Sequence, residues 1–297
     1  MDAEPSGLTF LVIGLFQGAV YGLLAVGLVL VYKGARVFNF AQGEFGTVAA
    51  FVTFALFEQA GIPYGVAVAG GLAAAVVLGL LVERLAIRPV FDAPRVTVLV
   101  ATVGVALLIV AVTVLVAKPE PRVLPPAISG DPITFAGVAL VPQQFLILGV
   151  LAALAAVLAL FFSRTNLGLA ILAISQDVLA TRIVGISVPR ISRLIWAMAA
   201  LLGGVAGILQ APLTIFTPGF MTTTTLVPAF TAAVLGGMTS LPGAFVGGLL
   251  VGAAQNVGIF YLQRAGIPGA SELTVFSLLL VVLLVRPRGL LGKEVSA

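Results

Sequence analysis

Three side chains in "VFNFAQGEFG", Val37 to Gly46, carry polar chemistry where their surroundings carry almost none: Asn39, Gln42 and Glu44. The two amides can donate and accept hydrogen bonds, whereas an ionised carboxylate can only accept them or take up a proton. Asn39 and Gln42 fit the N-cap and N3 positions of a capping-box-like start, their amides satisfying backbone N–H groups that lipid cannot. They stand about 60° apart on a helical wheel, while Glu44 stands about 200° from Gln42 and cannot share their face. If the helix begins near Val37, Glu44 lies roughly 10 Å along it from the Lys33–Arg36 end. The helix dipole favours a carboxylate there by about 1 kcal/mol, less than exposure to lipid would cost. Glu44 is therefore expected to face protein, water or a partner charge. Two readings stand side by side: a water-lined or paired position beside a pathway, or a buried pair with a basic residue of the neighbouring loop.

Other polar residues interrupt the apolar runs: Gln17, Thr97, Thr102, Thr113, Gln210, Gln255 and Asn256. Threonines can bond back to their own helix, but Gln17, Gln255 and Asn256 have no such easy partner. The candidate pathway set is Gln17, Asn39, Gln42, Glu44, Thr102, Gln255 and Asn256. In "TPGFMTTTTLVP", Thr217 to Pro228, four successive threonines stand between prolines, expected at the outer mouth. A broken backbone at membrane depth is tolerated where it lines a cavity.

The chain has no histidine and no cysteine. That excludes imidazole and thiolate metal sites, thiolate nucleophiles and histidine acid–base chemistry. No metal, no cofactor and no catalytic residue are expected. "GLLGKE" lacks the spacing and the Ser/Thr of a phosphate loop, so the chain is not expected to hydrolyse ATP by itself.

The elements that must position these residues are apolar. Of 297 residues 61% are hydrophobic and 9% charged, against roughly 25% charged in a soluble domain. Apolar segments fall at about 8–32, 37–57, 64–82, 96–117, 142–162, 194–211, 226–238, 242–262 and 273–285. Since a span needs about 20 apolar residues, the chain reads as an all-α polytopic membrane protein, a single domain over 1–297 of about nine helices (8–10). The segment at 226–238 is short and could be re-entrant. Residues 118–141, rich in Pro and Gly, read as an ordered external loop, and 163–193 as a polar, Arg-bearing loop with a helical middle. The acidic start "MDAEPSG" lacks the basic region of a signal peptide, so the first run is expected to be retained.

Nine crossings with the N-terminus outside put twelve basic residues inside: Lys33, Arg36, Arg84, Arg88, Arg95, Arg164, Arg182, Arg190, Arg193, Arg286, Arg288 and Lys293. Lys118, Arg122 and Arg264 remain outside. A re-entrant 226–238 would give 10 inside and 5 outside. The positive-inside rule prefers nine crossings and a cytoplasmic C-terminus. The net charge of +4 reflects these loops and implies no nucleic-acid partner. Gly14, Gly18 and Gly22, then Gly243–Gly247 and Gly248–Gly252, repeat at four-residue spacing, which lets helix backbones approach closely.

"GAVYGLLAVGLVLVYKGARVFNFAQGEFGTVAAF" resembles the opening of the permease subunits of branched-chain amino-acid ABC transporters. "PAFTAAVLGGMTSLPGAFVGGLLVG" and "LLVRPRGLLG" are similar to that family's later signatures, in the same order. The resemblance implies an inner-membrane permease working with a second permease subunit (the same chain or a different one), two cytoplasmic ATP-binding subunits and an external solute-binding protein. It also implies that a cytoplasmic loop docks the ATPase. Here the matching stretch is Gly168 to Arg190, within 163–193, with Ser175, Asp177, Arg182 and Gly185 as candidate coupling residues. Asp177, Ala180, Gly185 and Ile186 fit the family pattern. Leu169 and Leu172 depart from it, standing where the family often has basic residues, and Gln42 stands where it frequently has His. The implied cargo is Leu, Ile and Val, with urea or a short amide as the alternative.

A self-contained proton-coupled transporter using Glu44 is a second reading. An intramembrane enzyme acting on lipid is a third, opposed by the absence of a close acid pair. The long internal loop favours the first. Within it Leu172, Leu179 and Ile183, beside Ile171, Ser175, Val178 and Arg182, predict one short amphipathic helix. That helix would lie flat on lipid or fill a groove on an ATPase. Gly185 is expected to end it and Pro189 to stop it restarting.

Overall fold

The computed structural model describes residues 7–91, 93–135, 138–286 and 288–292. The acidic start at 1–6 and Lys293 lie outside the described residues. In chain order the helices are α1 (Gly7–Ala35), α2 (Gln42–Phe54), α3 (Tyr64–Val82), α4 (Arg95–Ala117), α5 (Pro142–Arg164), α6 (Asn166–Gln176), α7 (Val178–Ile183), α8 (Val188–Gln210), α9 (Phe220–Thr224), α10 (Leu226–Gly236), α11 (Leu241–Arg264) and α12 (Ala270–Val285). A π turn prolongs α2 to Gln59, and π and 3₁₀ turns prolong α3 to Val90. Among the described residues six helices are long and apolar enough to cross a membrane: α1, α3, α4, α5, α8 and α11. The chain is a helical polytopic membrane protein. The loop at 118–141 is not wholly irregular: β1 (Ile133–Phe135) and β2 (Val138–Leu140) form an antiparallel hairpin with Ile133 opposite Leu140.

The helices sort by burial. From Ala19 to Val31, α1 is buried on every side, so it is the axis of the bundle. Long apolar stretches of α4 and α12 face outward; Leu115 is 81% exposed and Leu284 75%. In a membrane that surface meets lipid or other apolar protein. α1 and α11 run antiparallel, with Gly14 against Gly252 and Gly18 against Gly248. A Cβ at Gly18 would stand 2.5 Å from the Gly248 carbonyl. The glycine spacing thus marks the tightest helix pair, the close backbone approach that holds helices together in lipid.

The helical path is interrupted at two places. After α1 the chain leaves helical geometry at Arg36 (φ 53°) and does not resume it until Gln42. By then it has travelled back along α1: a Cβ at Gly27 would collide with the Gln42 amide. Gly27 lies eight residues, about 12 Å, before the end of α1. The second break is α9–α10, where five residues of helix after Gly219 (φ +82°) are separated from α10 at Thr225. The expected short segment at 226–238 is α10, but it continues α9 rather than standing alone. Past α12, Leu290 and Leu291 donate their N–H groups to the carbonyls of Leu235 and Gly236, at 2.7 and 3.1 Å. The closing segment is thereby fixed to the α10–α11 corner.

Candidate functional site

The two interruptions meet at Glu44. The Asn39 side-chain oxygen accepts the Ala41 N–H at 3.0 Å, and its NH₂ donates to Gln42 Oε1 at 3.2 Å. Gln42 Nε2 then donates to the Ala199 carbonyl in the middle of α8 at 2.8 Å. The expected capping box is therefore replaced by a chain of amides. Asn39 satisfies one N–H of the turn before α2, and Gln42 binds α8 rather than capping. Thr102 on α4 accepts the Phe40 N–H at 3.3 Å, and its own hydroxyl faces the carbonyls of Phe38 and Leu99 at 3.2 and 2.8 Å. Asn39, Gln42 and Thr102 thus hold the non-helical segment and the start of α2 in place, while Glu44 faces Thr222 and Gly219.

Glu44 itself is held by no one. It is fully buried, yet neither carboxylate oxygen has a hydrogen-bond partner among the described residues. Its nearest hydroxyls are those of Thr222 and Thr47, and the Thr222 hydroxyl is equally unpartnered. Gly219 lies alongside, its Cβ position 3.9 Å from Glu44 Oε1 and 3.4 Å from Val110. The expected pairing with a basic loop residue is absent among the described residues. A buried carboxylate without a partner is costly, and in a membrane-spanning chain such a group is a candidate for a pathway, a proton relay or a ligand counter-ion. Thr222 comes from the four-threonine stretch, which returns beside α2 at Gly43 while Thr223 and Thr224 stay exposed. The Pro breaks and αL-compatible Gly219 are the sequence signal for that return.

Gln17, Gln255 and Asn256 belong to a second group. The Tyr21 hydroxyl sits beside the side chains of Gln17 and Gln255. Gln255 Nε2 donates to Ser271 Oγ of α12 at 2.7 Å, and Asn256 Nδ2 to the Gly252 carbonyl at 3.1 Å. Gln17 lies ten residues, about 15 Å, from Gly27 along α1, so this group is separate from Glu44. Tyr21 went unnoticed in the sequence; its i, i+4 relation to Gln17 was the available signal.

The internal loop folds into two helices, not one. Asp177 is extended (φ −147°) and caps α7, its Oδ1 accepting the N–H groups of Leu179 and Ala180 at 2.8 and 3.0 Å. The expected single stripe is broken, because an N-cap residue cannot lie inside the same helix. Leu179, Ile183 and Val184 are 67%, 78% and 72% exposed, an apolar tip on α7. Gly185 does end the helix, at φ +83°, with Ile186 N–H returning to the Thr181 carbonyl at 3.2 Å. Pro189 opens α8. Ser175 offers its carbonyl to Arg36 at 2.6 Å, which ties the loop to the end of α1. Arg182 lies exposed on the last turn of α7.

Comparison with known proteins agrees with this architecture. A structure of PsaBC from Streptococcus pneumoniae in complex with Fab shares the fold, with a TM-score of 0.50 at 17% identity over 94% of this chain and 92% of that one. The high-affinity branched-chain amino acid transport system permease protein BraD of Pseudomonas aeruginosa is 32% identical over 95% of both chains. LivH of Escherichia coli, of the same description, is 32% identical over 94% of both. A probable branched-chain amino acid transport permease protein LivH of Methanocaldococcus jannaschii is 24% identical over 92% of this chain and 88% of its own. Residues 10–285 match the family described as the permease component of the branched-chain amino acid transport system, and the chain belongs to that family.

Proposed function

We propose that the chain forms the membrane pathway of an ABC importer for Leu, Ile and Val. An external binding protein delivers the amino acid, two ATP-binding subunits drive the cycle, and a second permease subunit completes the pore. The observation that carries this reading is the meeting of two interrupted helices around an unpartnered, buried Glu44, set in a bundle whose α6–α7 loop presents an apolar tip. Interrupted helices that bring backbone and a carboxylate to the interior are how transporters build binding positions. Gln17, Gln255 and Asn256 form a second polar station on the same route.

In this reading α6–α7 faces the cytoplasm, and with it the ends of α1, α5 and α10 and the starts of α8 and α11. Counting α9–α10 as one broken crossing gives nine, with the N-terminus outside and the C-terminus inside. Ser175, Asp177, Arg182 and Gly185 form the ATPase-coupling corner. The protein resides in the cell (inner) membrane.

Reconstitution with its own partners tests this. Proteoliposomes holding the complete complex should accumulate radiolabelled leucine only with ATP and the binding protein, and an uncoupler should leave uptake unchanged. The unpartnered carboxylate of Glu44 supports one competitor, a proton-coupled carrier. Uptake by the permease alone that collapses with the uncoupler would establish that carrier instead. Preferential uptake of urea would move the cargo to small amides.

A further inference from the structure

A cavity of 450 Å³ opens between α2 and α4, bounded above by the segment from Lys118 to Arg122. Its size lies within the roughly 300–1,000 Å³ of small-molecule sites. Its walls are aliphatic: Val48 and Val52 from α2 face Val112 and Val116 from α4. Its mouth carries both charges, Arg122 and Glu120, 2.8 Å apart. A lipid tail needs no such pair, and a urea-sized amide needs no such wall. A zwitterion with an aliphatic side chain matches both.

The mouth is built, not incidental. Arg122 is fixed by its backbone, which exchanges two hydrogen bonds with Phe216 at 2.9 Å each. Its guanidinium stands 5.4 Å from the centre of the Phe54 ring. Both of its hydrogen bonds, to Glu120 and to the Ala117 carbonyl, leave from Nη2. Nη1 and Nε remain to meet a carboxylate, and Glu120, 59% exposed, can turn to an ammonium group. Lys118 joins the mouth at φ 60°, ψ 158°, a backbone region that non-glycine residues occupy mainly at functional positions. The cavity also shares a helix face with Glu44. Glu44 lies on the α2 stripe that continues through Val48, Phe51, Val52 and Ala55, at the i, i+4, i+7, i+8 and i+11 spacing of one helix face. Glu44 is one turn, about 6 Å, deeper than Val48.

Resting on the importer reading above, we propose that the α2–α4 cavity is a receiving subsite for one aliphatic L-amino acid. Arg122 binds its carboxylate, Glu120 its ammonium group, and its side chain lies between Val48 and Val52 of α2 and the more exposed Val112 and Val116 of α4 before it moves on toward Glu44. The charged pair at the mouth opens to admit the zwitterion and closes again behind it, so an unoccupied subsite carries no uncompensated charge.

The chain contains no cysteine, which makes the test direct. Val52→Cys inside the cavity and Leu115→Cys on the outer face of α4 are each placed in the complete permease–ATPase complex in lipid nanodiscs. Both are labelled with a small thiol reagent without the binding protein. Saturating L-leucine should slow labelling at position 52 about fivefold or more and leave position 115 unchanged. L-alanine should need about tenfold or more higher concentration for the same protection, since each missing methylene removes contact with the wall. Glu120→Gln and, separately, Arg122→Gln should abolish protection while the thiol stays reactive; the exposed Glu120 serves if Arg122→Gln fails to assemble. Equal protection by leucine, glycine and urea overturns the subsite, as does no protection at all. A thiol at 52 that reacts in the isolated permease but not in the assembled complex also overturns it, showing the cavity covered by the second permease. If the complex accumulates leucine with its binding protein while protection is absent, only the subsite fails; if it never transports leucine, the importer reading itself fails.

Discussion

At the scale of the residue, the buried polar side chains divide into those that are satisfied and those that are not, and among the described residues Glu44 alone has both carboxylate oxygens buried and unpartnered. Asn39, Gln42 and Thr102 spend their hydrogen bonds on the non-helical segment and on α8, and Glu44 has no partner among the described residues. Glu44→Gln preserves shape and removes the charge. It should leave folded yield unchanged or raise stability by about 1 kcal/mol or more, because a neutral amide is less costly to bury. On the proposed pathway role of Glu44, leucine uptake by the complex should fall about tenfold, because the substitution removes the charge assigned to meet the cargo. Glu44→Ala should lose uptake to a similar degree and cost stability as well, by opening a void among Thr47, Thr222 and Gly219. Thermal melting in detergent paired with uptake per molecule reads both effects. A fall in yield with uptake per molecule intact would make the carboxylate purely structural. The burial of Glu44 was legible in the sequence, because exposure of an acid to lipid costs more than the helix dipole returns. Its neighbour Thr222 was not, since nothing in 178 residues of separation tells which hydroxyl arrives beside which acid.

At the scale of the element, local chemistry decided what periodicity could not. Apolar spacing in "LAILAISQDVLATRIVGI" fits one helix, yet Asp177 caps the N-terminus of α7 with two backbone bonds and so ends α6. The residue type most favoured at a helix start outweighed the stripe. Gly185, by contrast, did what its type predicts. The start of α2 was misread in the same way: "VFNF" is apolar enough to begin a helix near Val37, but the amide chain and the Thr102 hydroxyl stabilise it as a non-helical segment. Asp177→Ala removes the α7 cap at a cost of about 1 kcal/mol, and Gly185→Ala strains a left-handed position by about as much. Both costs fall on a surface corner that the bundle does not need. Melting of the permease should stay within a degree or two, while substrate-stimulated ATPase activity of the complex should drop severalfold. Stimulated activity equal to wild type, with the complex intact, would assign the α7 tip to the membrane surface.

At the scale of the whole molecule, the bundle is held along its axis by α1 and α11, where Gly18 and Gly248 leave no room for a side chain. Gly248→Ala should cost about 1–3 kcal/mol through overpacking, read as lowered melting of the purified permease; the same change at Gly104, with open space around it, should cost far less. That contrast follows from the four-residue spacing seen in the sequence together with the antiparallel pairing seen only in the fold. The spacing announces a close approach but never names the partner. Orientation is the remaining question, and the fold gives it a sharp form. The exposed corner of α7 and the loop holding the β1–β2 hairpin lie at opposite ends of α5, one at its finish and one at its start. If α5 crosses the membrane, these two surfaces face opposite compartments whatever the count elsewhere. Twelve of fifteen basic residues fall on the α7 side when all nine crossings are made, and the positive-inside rule then assigns that side to the cytoplasm, the orientation proposed above. Cysteines placed at Val184, 72% exposed, and at Ile128, 46% exposed, test this in intact cells. An impermeant reagent should label position 128 from outside and reach position 184 only after the membrane is opened. The reverse pattern would invert the bundle and remove the ATPase from the corner assigned to it, whereas labelling of both from outside would mean that α5 does not cross.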